Sequence, residues 1–330
     1  MSQSKSQHKN NHLLWVDVMK GIGILTVVAG HVYLGDITRI IFLFHMPLFF
    51  FLSGYLLKPT KNYKSYFLKK VNHLIVPYIF FLIIIYVLSY GLPDLNLKSI
   101  LKYFYSAIIG GRKLGDALGV FWFITCLFLT QQLVNFLITK FTRKTVVYIL
   151  LVFLILSYIN SLLLPKFWLP LNANVVLAAA PIFYIGFCFK QSNFSLNNVV
   201  LLLVGIAIIV ASIFIDLNYY EMKNAVYGIP IITLVSSLII ILNIKYISEL
   251  LSKISILNKP LIELGKASMV IMYLHQGIQI IVFSNISQNG HLRFVLATLV
   301  SYLFYLLFKQ SKYTRALCLG DTNAFSVFKV

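Results

Sequence analysis

Three ionisable residues stand in an apolar run that lipid would punish: Asp17, Lys20 and His31. On insertion scales an Asp or Lys costs about 2.5–3.5 kcal/mol at a helix centre, so each needs a partner or a polar cavity. Asp17 and Lys20 are three residues apart and share a helix face, where they can pair. Lys20 and His31 are eleven residues apart. At about 100° per residue they fall within about 20° of each other, roughly 16 Å apart along the axis. Asp17 lies within about 40° of the same stripe. One helix is therefore predicted to turn an Asp, a Lys and a His towards one lumen. An imidazole in such a lumen can take the proton of a hydroxyl or act as a nucleophile. A transporter's proton relay uses the same residue types. So does a buried ion pair that locks helix packing beside a satisfied core histidine.

The next apolar run reads Phe44-His45-Met46-Pro47-Leu48-Phe49-Phe50-Phe51-Leu52-Ser53-Gly54. Pro47 has no N–H and frees a carbonyl one turn upstream. At membrane depth a freed carbonyl must face protein or water, so a polar cavity near His45 is expected. The link at 35–37 is short, which makes the two runs antiparallel neighbours and lets His31 and His45 face one cavity. Residues 58–73 hold five lysines and His73. They form a cationic mouth, either a membrane-surface anchor or a dock for a polyphosphate such as coenzyme A, on which lysine acts as a point charge. Trp122-Phe123 and the deep His275, which follows Gly265-Lys266-Ala267-Ser268, are the remaining intramembrane candidates.

The elements that must carry these residues follow from composition. Of 330 residues, 59% are hydrophobic and only 11% charged, with a mean hydropathy of +0.86. Soluble domains carry about 45–50% apolar and about 25% charged residues, so the bilayer is the solvent to assume. Ten apolar segments are predicted, near 13–34, 38–57, 74–92, 118–138, 145–164, 171–189, 199–217, 225–243, 267–286 and 293–308. Unbroken apolarity over such lengths favours helices over barrel strands, which alternate. The expected fold is an all-α polytopic bundle of about ten transmembrane helices over 13–308, with tails at 1–12 and 309–330. Asp17 and Lys20 argue against a cleaved signal peptide at the first segment.

The net charge of +19 would suggest nucleic acid on a soluble protein, but here the cations sit in the links between segments. With the N-terminus inside, 19 Lys and Arg fall in inner pieces and 8 in outer ones. Both termini are therefore expected in the cytoplasm. The longest outer link, 93–117, contains Gly110-Gly111-Arg112-Lys113, and 96–109 is expected as a short interfacial helix. The three cysteines lack disulfide or metal spacing, and neither a P-loop nor a GxGxxG stands beside the lysines.

Taken in order, these residues resemble acyltransferase family 3, bacterial membrane proteins that O-acylate surface glycans. The family's Arg or Lys, ten residues, then His appears as Lys20 to His31. Its second-helix pattern appears as Phe44 to Gly54, its Trp-Phe pair as Trp122-Phe123, and its late Gly-Lys-Xaa-Ser to Leu-His pattern as Gly265 to His275. The Lys-to-His spacing is weak alone and specific when joined to the second-helix pattern. Where many relatives carry Arg-Xaa-Xaa-Arg, this chain has Lys70-Val71-Asn72-His73, which loses arginine's fork.

The resemblance implies an O-acetyltransferase of the bacterial cytoplasmic membrane. Acetyl-CoA is the implied donor and co-substrate, and a glycan or lipid-linked sugar the acceptor. Membrane lipids surround it, with no metal and no nucleic acid. His31 is the implied base or acyl carrier, with Lys20 and Asp17 orienting the stripe or neutralising the donor. His45 would stabilise the oxyanion or position the acceptor. Lys69, Lys70 and His73 would bind the donor, and Ser53, Trp122 and His275 the substrate. A proton-coupled transporter relaying through Asp17, Lys20 and His31 is the competing class. It lacks a visible inverted repeat.

Overall fold

The computed structural model describes residues 2–90, 97–109, 113–192, 196–214 and 220–328. The Gly110-Gly111-Arg112 part of the long link lies outside them. The described residues form helices joined by short turns, with no strand among them. Among the described residues, nine helices are long and apolar enough to cross a membrane. They begin with α1 (Ser2–Val32), whose span starts at Leu14, and α2 (Asp36–Tyr55). A third span joins α3 (Tyr63–Lys70) to α4 (Val76–Tyr90) through a widened turn. The amphipathic α5 (Leu97–Ile109) lies in the long link, where an interfacial helix was expected.

α6 (Trp122–Lys140), α7 (Arg143–Leu162) and α8 (Ala173–Gln191) follow. α9 (Asn198–Phe214) is shorter and completes ten crossings. α10 (Ile232–Leu251), α11 (Ser255–Asn285) and α12 (Gly290–Phe308) close the bundle.

Three starts differ from the sequence reading: the third span begins at Tyr63, not 74, because α3 leads into it. The eighth span starts at Ile232, not 225. Residues 220–231 instead fold as a loop with left-handed backbone at Ala225, Gly228 and Ile231, and Pro230 keeps it out of the helix. The ninth span starts at Ser255, ahead of Pro260, whose missing N–H leaves only the Ile256 carbonyl without its helical donor.

Two seams fix the centre. A Cβ at Gly21 would run into the Leu261 carbonyl, and one at Gly265 into the Asp17 carbonyl, so α1 and α11 touch backbone to backbone. α2 and α8 do the same through Gly54 against Phe183 and Gly186 against Phe51. Small residues permit such approach in membranes, where packing rather than water-driven burial holds helices together.

The chain does not trail away after the tenth span. α13 (Lys312–Leu319) ends at Gly320, whose φ of 60° turns the backbone against His73. Arg315 holds this hook closed through Nε to Asp321 at 3.0 Å.

Candidate active site

The α1–α11 seam sets the registers of Lys20 and His31 against Lys266 and His275. Lys20 Nζ lies 3.0 Å from Asp17 Oδ1, the pair that the three-residue spacing predicts. Both border a cavity of about 720 Å³. This falls within the ~300–1,000 Å³ typical of ligand sites. Ser53, Lys58, Lys69, Lys70, His73 and Lys266 border it as well, so three of the five lysines of 58–73 share this space, while Lys61 and Lys64 do not border it.

Lys70 Nζ lies 5.4 Å from the Tyr66 ring centroid, and Lys266 is paired to Glu263 at 2.7 Å. His73 occupies a wide π-helical turn, Val71–Ile75. Pro77 explains the turn, since its missing N–H leaves the His73 carbonyl without its usual helical partner. His73 Nδ1 donates to the Gly320 carbonyl at 3.2 Å, and Leu319 closes part of the cavity wall.

A second cavity, about 220 Å³, lies at the other end of the seam. It is bordered by His31, His45 and Trp122. The expected meeting of His31 and His45 is therefore found. The single lumen is not: Asp17 and Lys20 border one cavity and His31 another.

The His31 ring lies 5.4 Å from that of His275 and 5.9 Å from Phe42, and Phe42 in turn lies 4.7 Å from His45. His45 Nδ1 donates to the Ile41 carbonyl at 2.9 Å, and His275 Nδ1 to the Ile271 carbonyl at 2.7 Å. Each bond puts the proton on Nδ1, so in the neutral ring Nε2 carries the lone pair. The Nε2 of His275 is buried without a hydrogen-bond partner among the described residues. Both rings can accept a hydrogen bond from a hydroxyl. For His45 this favours positioning an acceptor over stabilising an oxyanion, which needs a donor.

Sequence reasoning missed the polar rim of this cavity: Asp116, Glu221, Lys223 and Gln276. Asp116 and Ala225 hold left-handed φ of 45° and 55° in the two loops that supply this rim, conformations that side-chain-bearing residues seldom adopt without a purpose. Burial pulls Lys223 below the ordinary lysine range, while Glu221 and Asp116 oppose that shift. A usable signal existed. The chain has nine acidic residues, and two of them border one small cavity.

The sequence profile of the family described as an acyltransferase domain matches residues 13–309. The chain belongs to acyltransferase family 3. The match covers every crossing and all of the residues described above as bordering the cavities except Leu319, so the acyltransferase family 3 domain is the whole transmembrane bundle. No curated protein and no solved structure matches the chain.

Proposed function

We propose that this acyltransferase is an O-acetyltransferase that takes acetyl from acetyl-CoA and delivers it to a hydroxyl of a cell-surface polysaccharide or lipid-linked glycan. The observation that supports this reading is the back-to-back arrangement of two unlike cavities inside one bundle. One is large and lined by lysines, which suits a polyphosphate. The other is small and holds imidazoles, which suits the reacting end of a molecule.

The bacterial cytoplasmic membrane is the setting. Both termini and the lysine cavity face the cytoplasm, where acyl-CoA is made, and the histidine cavity faces outward. Lys69, Lys70 and His73 hold the donor phosphates, and Lys20 with Asp17 and Ser53 shares that cavity. The acceptor hydroxyl sits among His45, Trp122 and His275. His31 takes its proton as the oxygen attacks the thioester carbonyl carbon. The carbon–sulfur bond breaks, and the coenzyme A thiolate leaves and is protonated to the thiol. A two-step route through an acyl-His31 balances equally: His31 displaces the thiolate, then the hydroxyl displaces His31.

The test is release of coenzyme A thiol from acetyl-CoA by native membranes with and without this protein, together with the acetyl content of surface glycan. Equal thiol release and equal acetyl content in both would end the proposal.

A further inference from the structure

The two cavities abut at one side chain. Among the described residues, Met272 is the only one that borders both. It is 3% exposed. Its place on α11 explains the double contact. Ser268 and Met269, one turn earlier, border the lysine cavity. Gln276, one turn later, borders the histidine cavity, and His275 touches His31. On the acyl-transfer reading above, on which this inference rests, the thioester carbonyl arrives from the lysine side and the hydroxyl is activated on the histidine side. The acyl group must therefore pass, or take the place of, the Met272 side chain.

We infer that Met272 is the gate between the donor and acceptor cavities, and that it limits the length of the acyl group transferred. Methionine suits the task, because its unbranched thioether has three rotatable bonds and fills irregular gaps. It can swing aside within a packed seam where a β-branched side chain would not. At rest it separates the two cavities and keeps water on the histidine side from the thioester. When the donor is bound, the acetyl methyl occupies the volume that the outer atoms of Met272 vacate. Each further methylene on the acyl chain has to find room in a histidine cavity of only about 220 Å³. A pocket that fits or rejects one methylene discriminates by about 10–200-fold.

Two readouts test this. In proteoliposomes holding a pH-sensitive dye, the wild type should keep an imposed proton gradient. Met272→Ala, which joins the cavities, should dissipate it several-fold faster, and Met272→Phe should hold it. Thiol release is then followed with acetyl-, propionyl-, butyryl- and hexanoyl-CoA, using native membranes as acceptor source. Wild-type rates should fall with chain length. Met272→Ala should raise the butyryl-to-acetyl ratio by about tenfold or more. Met272→Phe should slow acetyl transfer about tenfold while coenzyme A still binds. A Met272→Ala protein as tight as wild type would overturn the gate. An unchanged length profile would overturn length selection. A leaky Met272→Ala protein whose wild type releases no thiol from any acyl-CoA would keep the gate and overturn acyl transfer instead.

Discussion

The rings of His31 on α1 and His275 on α11 lie 5.4 Å apart at an interplanar angle of 39°, although 244 positions separate them in the chain. His275 donates through Nδ1 to its own helix backbone and keeps a lone pair on a buried Nε2. It is thus fixed in orientation, and in the neutral ring its one remaining nitrogen, Nε2, can only accept. His31 is half-buried, borders the cavity directly and is free to act on what enters.

That division predicts different losses. His31→Ala and His31→Gln should both remove acyl transfer, by about 10²–10⁴-fold for a lost general base, while the protein still inserts and binds acetyl-CoA. His275→Gln retains an acceptor oxygen and should keep more activity than His275→Ala. Near-normal thiol release by a folded His31→Gln protein would refute the assignment.

Donor binding should respond to charge. Lys70→Glu should raise the apparent KM for acetyl-CoA and leave kcat little changed. Added salt should imitate the change on the wild type, because it screens the same attraction. Gly320→Val would push the C-terminal hook off His73 and should raise the same KM without altering any charge. Steady-state kinetics at two salt concentrations separate the two effects.

The α1–α11 seam predicts a stability loss. Gly21→Val or Gly265→Val places side-chain atoms against a backbone carbonyl that cannot rotate away. Overpacking of this kind costs about 1–3 kcal/mol, occasionally more. A lower Tm in detergent and a smaller monodisperse fraction should follow, whereas Gly115→Ala, with open space around it, should behave as wild type.

Lys223 predicts a pH-dependent stability. Its folded value is lowered by burial, so the fold disfavours the charged form. The cost is fully present below the folded value and disappears as pH rises from there towards the unfolded value of about 10.4. Lys223→Met should therefore raise Tm at neutral pH, and the gain should fade in alkaline buffer. The same variant should lose acyl transfer if the charge is kept for the acceptor.

Orientation is checked by cysteine-accessibility labelling at Lys64 and Lys113. Lys113 should label from outside intact cells, and Lys64 only after the membrane is opened. Both follow from the distribution of cations among the links.

Composition announced the helices, and the short 35–37 link announced the antiparallel pairing of the first two, because apolar length and short links are local properties. The Asp17–Lys20 pair was equally local. What local reasoning missed was depth. Lys20 and His31 share a stripe, but α11 crosses that stripe and Met272 divides it into two compartments. The polar rim from Asp116, Glu221 and Lys223 was missed for a related reason. It comes from loops that bend back over the cavity, and the bends use backbone conformations that residue type does not advertise. The glycines of the recurring patterns were visible as letters, but their purpose, seating one backbone on another, appears only with the partner helix in place.

The interlocked glycines also limit how this protein can work. Carriers that expose a site alternately to two faces do so by rocking one half against the other, and such rocking needs a surface on which halves can slide. Here the two seams that flank the reaction centre mesh like gear teeth, with carbonyls seated where side chains would be. Sliding either seam by one residue would drive a Cβ into a peptide group. Substrate passage is thus left to rotamer changes in a rigid frame. The membrane barrier can then stay sealed through every turnover.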